Sequence, residues 1–320
     1  MLRSFLYGVF LTLIILAFSF IYVIKKTLSK DLFEVFLSLD KRFVFFSLFS
    51  MFLYHTFDNL RLFILSRAMN LRYPFLYGYV VSFINTFGAT ITPAHVGGEM
   101  MSLYTLSRKG ARFHKVMSIV TMKTLTGTVF FVLFFPFVAY YIYDNPTVSV
   151  KLLIILAVFG LSSLLFYIVG RTFFNKAEKK SGLMLRIRYA FNRFLVATKL
   201  FLRKKKVYLI LSTIMSVLLY ISFVLSGVYL IKAFEQSISF YEAFYAQVVL
   251  LYAIFFSPTP GGSGVGELGG VEVFSSFLSL SAVGGFVILW RFITQYISAI
   301  VGGVLFFFLF IKDSKGYLLK

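Results

Sequence analysis

Eight stretches of this chain run for 18 to 26 residues without one Asp, Glu, Lys or Arg: 4 to 24, 73 to 98, 124 to 143, 152 to 170, 207 to 231, 243 to 266, 273 to 290 and 292 to 311. A helix needs about 20 mostly apolar residues to cross the hydrocarbon core of a bilayer. Inside that core only helices and closed barrels satisfy their own backbone. A shorter run from 43 to 57 is a further candidate. With 59% apolar and 20% aromatic residues and a mean hydropathy of +0.88, the chain carries more apolar area than a water-soluble surface could hide. It reads as all-α, a single polytopic membrane domain over 1–320. The first run follows Arg3 but has no small-residue cleavage site, so it is expected to stay as an anchor.

Charge and composition narrow the chemistry. The net charge of +20 is carried by short loops beside apolar runs, a placement that fits anionic lipid headgroups and cytoplasmic loops rather than nucleic acid. Cysteine is absent, and His55, His95 and His114 match no metal-site spacing. No cofactor or metal is expected. The segment Gly264-Val265-Gly266-Glu267-Leu268-Gly269 satisfies a dinucleotide-binding pattern, but that pattern needs a soluble strand-turn-helix unit and an acidic residue about 20 positions on. Here Arg291 occupies that region, between membrane segments.

Two apolar runs are broken by Pro and Gly. The breaks read Thr92-Pro93-Ala94-His95-Val96-Gly97-Gly98-Glu99 and Pro258-Thr259-Pro260-Gly261-Gly262-Ser263-Gly264-Val265-Gly266-Glu267. Each ends on a glutamate followed 24 residues later by a basic residue, Lys123 or Arg291. The segment 171 to 206 holds twelve Lys or Arg and is expected to be cytoplasmic. Counting spans from it, residues 73 to 106 form a broken, re-entrant hairpin entering from the cytoplasm, and 240 to 280 form one entering from outside. The C-terminal tail with Lys312, Lys315 and Lys320 falls inside. The halves, approximately 43–143 and 207–311, then form an inverted repeat joined by the span 152–170 and the basic segment, the plan of many transporters. Residues 25 to 42 fit badly, since this parity puts their five Lys or Arg outside. The stretch 183 to 202 has the spacing of an amphipathic helix lying on an anionic surface.

Backbone groups freed by a break at membrane depth are tolerated only where protein or a water-filled cavity receives them. A helix restarting there turns its partly positive end toward that cavity. The candidate binding residues are therefore Glu99, Glu267, Lys123, Arg291, Gly97, Gly98, Gly261, Gly262, Ser263 and Asn85, with Pro93, Pro258 and Pro260 as breakers. Buried carboxylates could be counter-ions, proton carriers or partners of a basic residue, and Lys123 and Arg291 are the natural partners, one per half. Thr90, Thr92 and Gln295 are further polar candidates in the same segments, and each of them, like Asn85 and Ser263, reads first as an ordinary interhelical hydrogen bond. Asp58 with Arg61 reads equally as an interfacial ion pair or a site component, and His95 is a lone relay candidate.

At the second break, and more weakly over Asn85 to Glu99, the sequence resembles the membrane region of lysylphosphatidylglycerol synthases, a family also found as stand-alone flippase-like proteins. The resemblance covers nearly the whole chain. It implies a prokaryotic cytoplasmic-membrane protein that moves a phospholipid such as aminoacylated phosphatidylglycerol between leaflets, built of about seven or eight spanning helices plus two broken hairpins. Ser102 stands where family members often carry a basic residue. Only nine residues follow Ile311, so the chain is expected to lack the synthase domain and not to be an enzyme. A proton- or ion-coupled carrier of a small solute, and an intramembrane enzyme on a lipid-linked substrate, remain alternatives. A homo-oligomer and a separate lipid-modifying enzyme stay open as partners.

Overall fold

The computed structural model describes residues 36–111, 113–158 and 205–318, with isolated positions elsewhere. The first run, most of the segment 25 to 42, the second half of 152 to 170 and most of 183 to 202 lie outside the described residues. The described residues form helices and connecting turns with no strand.

Helix α1 runs Lys41–Ala68. Asp40 opens it by accepting from the Arg42 backbone N–H at 2.9 Å, and the Arg42 guanidinium holds this carboxyl below the usual carboxylate range. Asn70, at φ 58°, closes it, with Leu71 N–H donating to Ser66 O at 2.9 Å. At 28 residues the helix is about 42 Å long, enough to cross a bilayer. The uncharged run from 43 to 57 understates it, because Asp58 and Arg61 do not end the span. They are buried on its inner face with His55 and Asn59, while Phe45, Phe49 and Phe52 are exposed on its outer face.

Helices α2 (Phe75–Thr90) and α3 (Val96–Ser107) fold back on one another. Their backbones touch at glycines: a Cβ on Gly88 would lie 2.6 Å from Gly97 O, and one on Gly97 the same distance from Gly88 O. Thr92 Oγ1 ties the turn by donating to Gly88 O and accepting from Gly97 N–H, both at 2.7 Å. A free carbonyl and a free amide are thus satisfied by one hydroxyl.

Helix α4 (Phe113–Asp144) is followed by α5 (Pro146–Val158) and, after the basic segment, α6 (Lys206–Phe234). Helices α7 (Phe240–Phe255) and α8 (Val265–Phe274) make the second hairpin. Helix α9 (Leu280–Arg291), a π-turn (Phe292–Tyr296) and α10 (Ile297–Leu318) form one rod. Thus Arg291 does not separate the runs 273 to 290 and 292 to 311, since its charge is buried within the protein. Among the described residues, Phe113–Asp144, Lys206–Phe234 and Ala282–Ser314 are both long and apolar enough to cross a membrane.

The molecule has two distinct ends. At one, Gln236 after α6 donates to Asp40 before α1 at 3.1 Å, and Lys151 near the start of α5 pairs with Glu272 at the foot of the second hairpin at 2.7 Å. At the other, Arg108 at the foot of the first hairpin pairs with Asp313 in the last helix at 2.6 Å. The two hairpins therefore start from opposite ends and meet tip to tip. An apolar cluster around Leu65, Leu106 and Ile119 fills one end. A second, around Phe274, Phe286 and Trp290, fills the other and extends inward.

Candidate functional site

The two breaks share one backbone conformation. In each, an extended Thr (Thr92, φ −129°, ψ 144°; Thr259, φ −77°, ψ 154°) precedes a Pro at the first position of a single tight turn. Two left-handed residues come next, Ala94 (φ 50°) and His95 (φ 59°) in the first break, Gly261 (φ 58°) and Gly262 (φ 66°) in the second. Glycine adopts this region freely, whereas an L side chain there costs about 1–2 kcal/mol. The second break meets the requirement and the first carries strain. Ala94→Gly is therefore expected to raise stability by about 0.5–1 kcal/mol after the extra unfolded-state freedom of glycine is deducted. Thermal unfolding in detergent checks this, and an unchanged or lower midpoint would refute it.

The tips touch. A Cβ on Gly261 would lie 3.0 Å from Thr90 Cα, and Gln295 in the π-turn of the rod sits against both, its Nε2 donating to Thr90 Oγ1 at 3.2 Å and lying 2.1 Å from that Gly261 Cβ. Where they meet lies a cavity of about 170 Å³, walled by groups from both hairpins and the neighbouring spans: Asn85, His95 and Glu99 from the first hairpin, Gly261 from the second, Arg61, Lys123 and Arg291 from the spans.

Its cations are held differently. Arg61 Nε donates to Asp58 Oδ1 at 2.8 Å and Arg61 Nη1 reaches Ser216 Oγ at 3.5 Å. Lys123 Nζ stands 3.8 Å from the same Asp58 oxygen. Two cations thus share one carboxylate, leaving one positive charge in excess. Arg291 is matched one to one. Its Nε donates to Glu267 Oε1 at 2.8 Å and its Nη2 to Gly261 O at 3.0 Å. Glu267 also accepts from Tyr296 OH at 2.6 Å and from Gly264 N–H at 2.5 Å. With three bonds on its two oxygens it lies fully buried behind Arg291, which is the group that reaches the cavity.

Glu99 is the opposite case. Its Oε2 is buried and has no hydrogen-bond partner, although the side chain borders the cavity. It lines the same cavity as Arg61 and Lys123. Of the two pairings expected from spacing, Glu267–Arg291 is made. Lys123 pairs instead with Asp58, because α4 turns it toward α1.

The other candidates divide. Asn85 lines the cavity and donates to Ser102 Oγ at 2.9 Å. Gly97 and Gly98 are packing glycines, the latter against Asn85 O. Gly262 packs on Ile254, and Ser263 is buried with its hydroxyl unpartnered. Pro260 is buried, Pro258 half-buried and Pro93 exposed. Sequence reasoning missed Tyr54 and Tyr220 in the cavity wall and Tyr296 on Glu267. Their mid-span positions were the available signal.

These features define a multi-pass helical membrane protein with a polar chamber enclosed by apolar helices. The model of the lysylphosphatidylglycerol synthase TM region matches residues 5–302, and the chain belongs to that family. A UPF0104 membrane protein of Archaeoglobus fulgidus is similar to it, 25% identical over 264 residues that cover 77% of this chain and 80% of the archaeal one.

Proposed function

We propose that this protein carries a phospholipid headgroup through its central cavity and so moves lipid between leaflets. The observation that carries the reading is the pairing of opposite features in one chamber: an excess of positive charge at Arg61 and Lys123 and an unpartnered carboxylate at Glu99. Buried ionisable groups at membrane depth are costly and mark substrate paths. A phosphate satisfies the first feature and an ammonium group the second. Membership of the lysylphosphatidylglycerol synthase TM region family supports a ligand with both groups.

In this reading the hairpins are re-entrant. The helices α2 and α3, of 16 and 12 residues, are about 24 and 18 Å long, short of the ~30 Å hydrocarbon core. Their meeting point falls inside the membrane, and the inverted halves supply alternating access. The end bearing Arg67, Arg72, Arg108 and Lys109 faces the cytoplasm and rests on anionic lipid, with the C-terminus on that side of a prokaryotic inner membrane. The protein moves its lipid rather than altering it, and a separate lipid-modifying enzyme supplies the aminoacylated substrate.

The test is translocation in proteoliposomes, with aminoacylated and plain phosphatidylglycerol compared in separate assays. Faster movement of the aminoacylated lipid than in protein-free vesicles is expected. Folded protein that moves neither lipid would sink the reading.

A further inference from the structure

A second, larger space lies beside the central cavity. Helices α4, α5 and α7 enclose an apolar groove of about 660 Å³, with Val132, Phe135, Leu153, Ala253 and Phe256 in its wall. Along α4 it runs from Thr128 to Ile142, about 21 Å at helical rise. One leaflet contributes about 15 Å of hydrocarbon, so the groove accommodates that depth of chain. Its mouth is open toward the bilayer, with Val132 72%, Leu153 62% and Phe256 65% exposed.

The groove and the polar chamber share one wall side chain. Phe255 lines both. Its ring stacks on Phe131, a groove residue, at 4.0 Å between centroids, and lies 6.5 Å from the nearly parallel ring of His95, a cavity residue. Three rings in series form the partition between a wet site and a dry one. Such a partition suits a ligand that is polar at one end and apolar at the other.

Building on the lipid-transport reading, we propose that the groove is an acyl-chain site, holding one chain of the lipid whose headgroup enters the cavity past Phe255. Headgroup and tail are then bound by the same protein on opposite sides of the Phe131–Phe255–His95 partition. The groove wall beside the partition also includes Thr128 and Tyr252, the latter donating its hydroxyl to Phe131 O.

The experiment uses phosphatidylethanolamine and phosphatidylglycerol bearing a diazirine in one acyl chain, incorporated with the full chain into nanodiscs. Crosslinked peptides are then mapped by mass spectrometry. Labelling is expected to concentrate on the α4, α5 and α7 groove over the outward residues of α10 such as Val304 and Phe308. It is expected to fall about tenfold in Lys123→Met, the effect of losing one charge-assisted headgroup contact. Leu153→Trp and Val132→Trp fill the mouth at exposed positions that folding tolerates, and both are expected to remove groove labelling and slow translocation. Equal labelling of groove and α10, or groove labelling indifferent to Lys123→Met, identifies bulk lipid only and overturns the proposal. Wild-type translocation by both tryptophan variants overturns it too, while leaving lipid transport standing. Loss of translocation in the wild type itself is the separate outcome that removes the transport reading.

Discussion

Glu267→Ala is expected to destabilise the protein by about 3–5 kcal/mol, the cost of leaving a buried charge without its partner. Arg291 is 1% exposed and Glu267 fully buried. The carboxylate also accepts from Tyr296 OH and Gly264 N–H, so its removal breaks three hydrogen bonds and leaves the guanidinium without its counter-charge. The double variant Glu267→Ala/Arg291→Ala removes the stranded guanidinium and is expected to recover much of the loss, a coupling that a double-mutant cycle measures directly. Thermal unfolding of the four proteins in one detergent decides the matter. A single variant that melts with the wild type would mean that the pair contributes nothing to holding the second hairpin against the α9 rod.

Glu99→Gln is expected to behave in the opposite way. Its Oε2 has no partner, so the substitution breaks no hydrogen bond at that atom, and the loss of stability is expected to be well below that of Glu267→Ala. Transport is where the effect appears. If the carboxylate receives an ammonium group, losing that charge-assisted bond removes about 1.5–3 kcal/mol. Movement of an aminoacylated lipid then slows about ten- to a hundred-fold, whereas plain phosphatidylglycerol is unaffected. Equal slowing of both lipids would assign Glu99 a structural part, and no slowing of either would remove it from the path.

Each half carries a glutamate and a basic residue at the same spacing, yet the halves use them differently. Glu267 and Arg291 find one another because α8 and α9 are adjacent in sequence and pack as neighbours. Lys123 and Glu99 also sit on consecutive helices, but α1 inserts Asp58 beside the lysine, a contact spanning 65 positions that no local pattern announces. The same long-range burial made α1 look shorter than it is. Asp58 and Arg61 read as a span boundary in a hydropathy profile, which counts charges without knowing which side of a helix they face. The breaks were legible because Pro and Gly act locally, on their own backbone. Their shared conformation was half visible in the repeated Thr-Pro and half concealed, since Ala94 and His95 give no sign of a left-handed pair.

The contact between the hairpin tips has a mechanical meaning. The side-chain ties described at the tip of the first hairpin are a neutral hydrogen bond to Thr90 from Gln295 in the π-turn of the rod, and a ring contact of His95 with Phe255 of the second hairpin. Interactions of these kinds are each worth about 0.5–1.5 kcal/mol. The feet are joined by partly exposed ion pairs, Arg108 to Asp313 and Lys151 to Glu272, each worth about 0–1 kcal/mol. The second hairpin is thus anchored at its point by the buried Glu267–Arg291 pair, whereas the point of the first is held by neutral contacts and is the freer of the two to move.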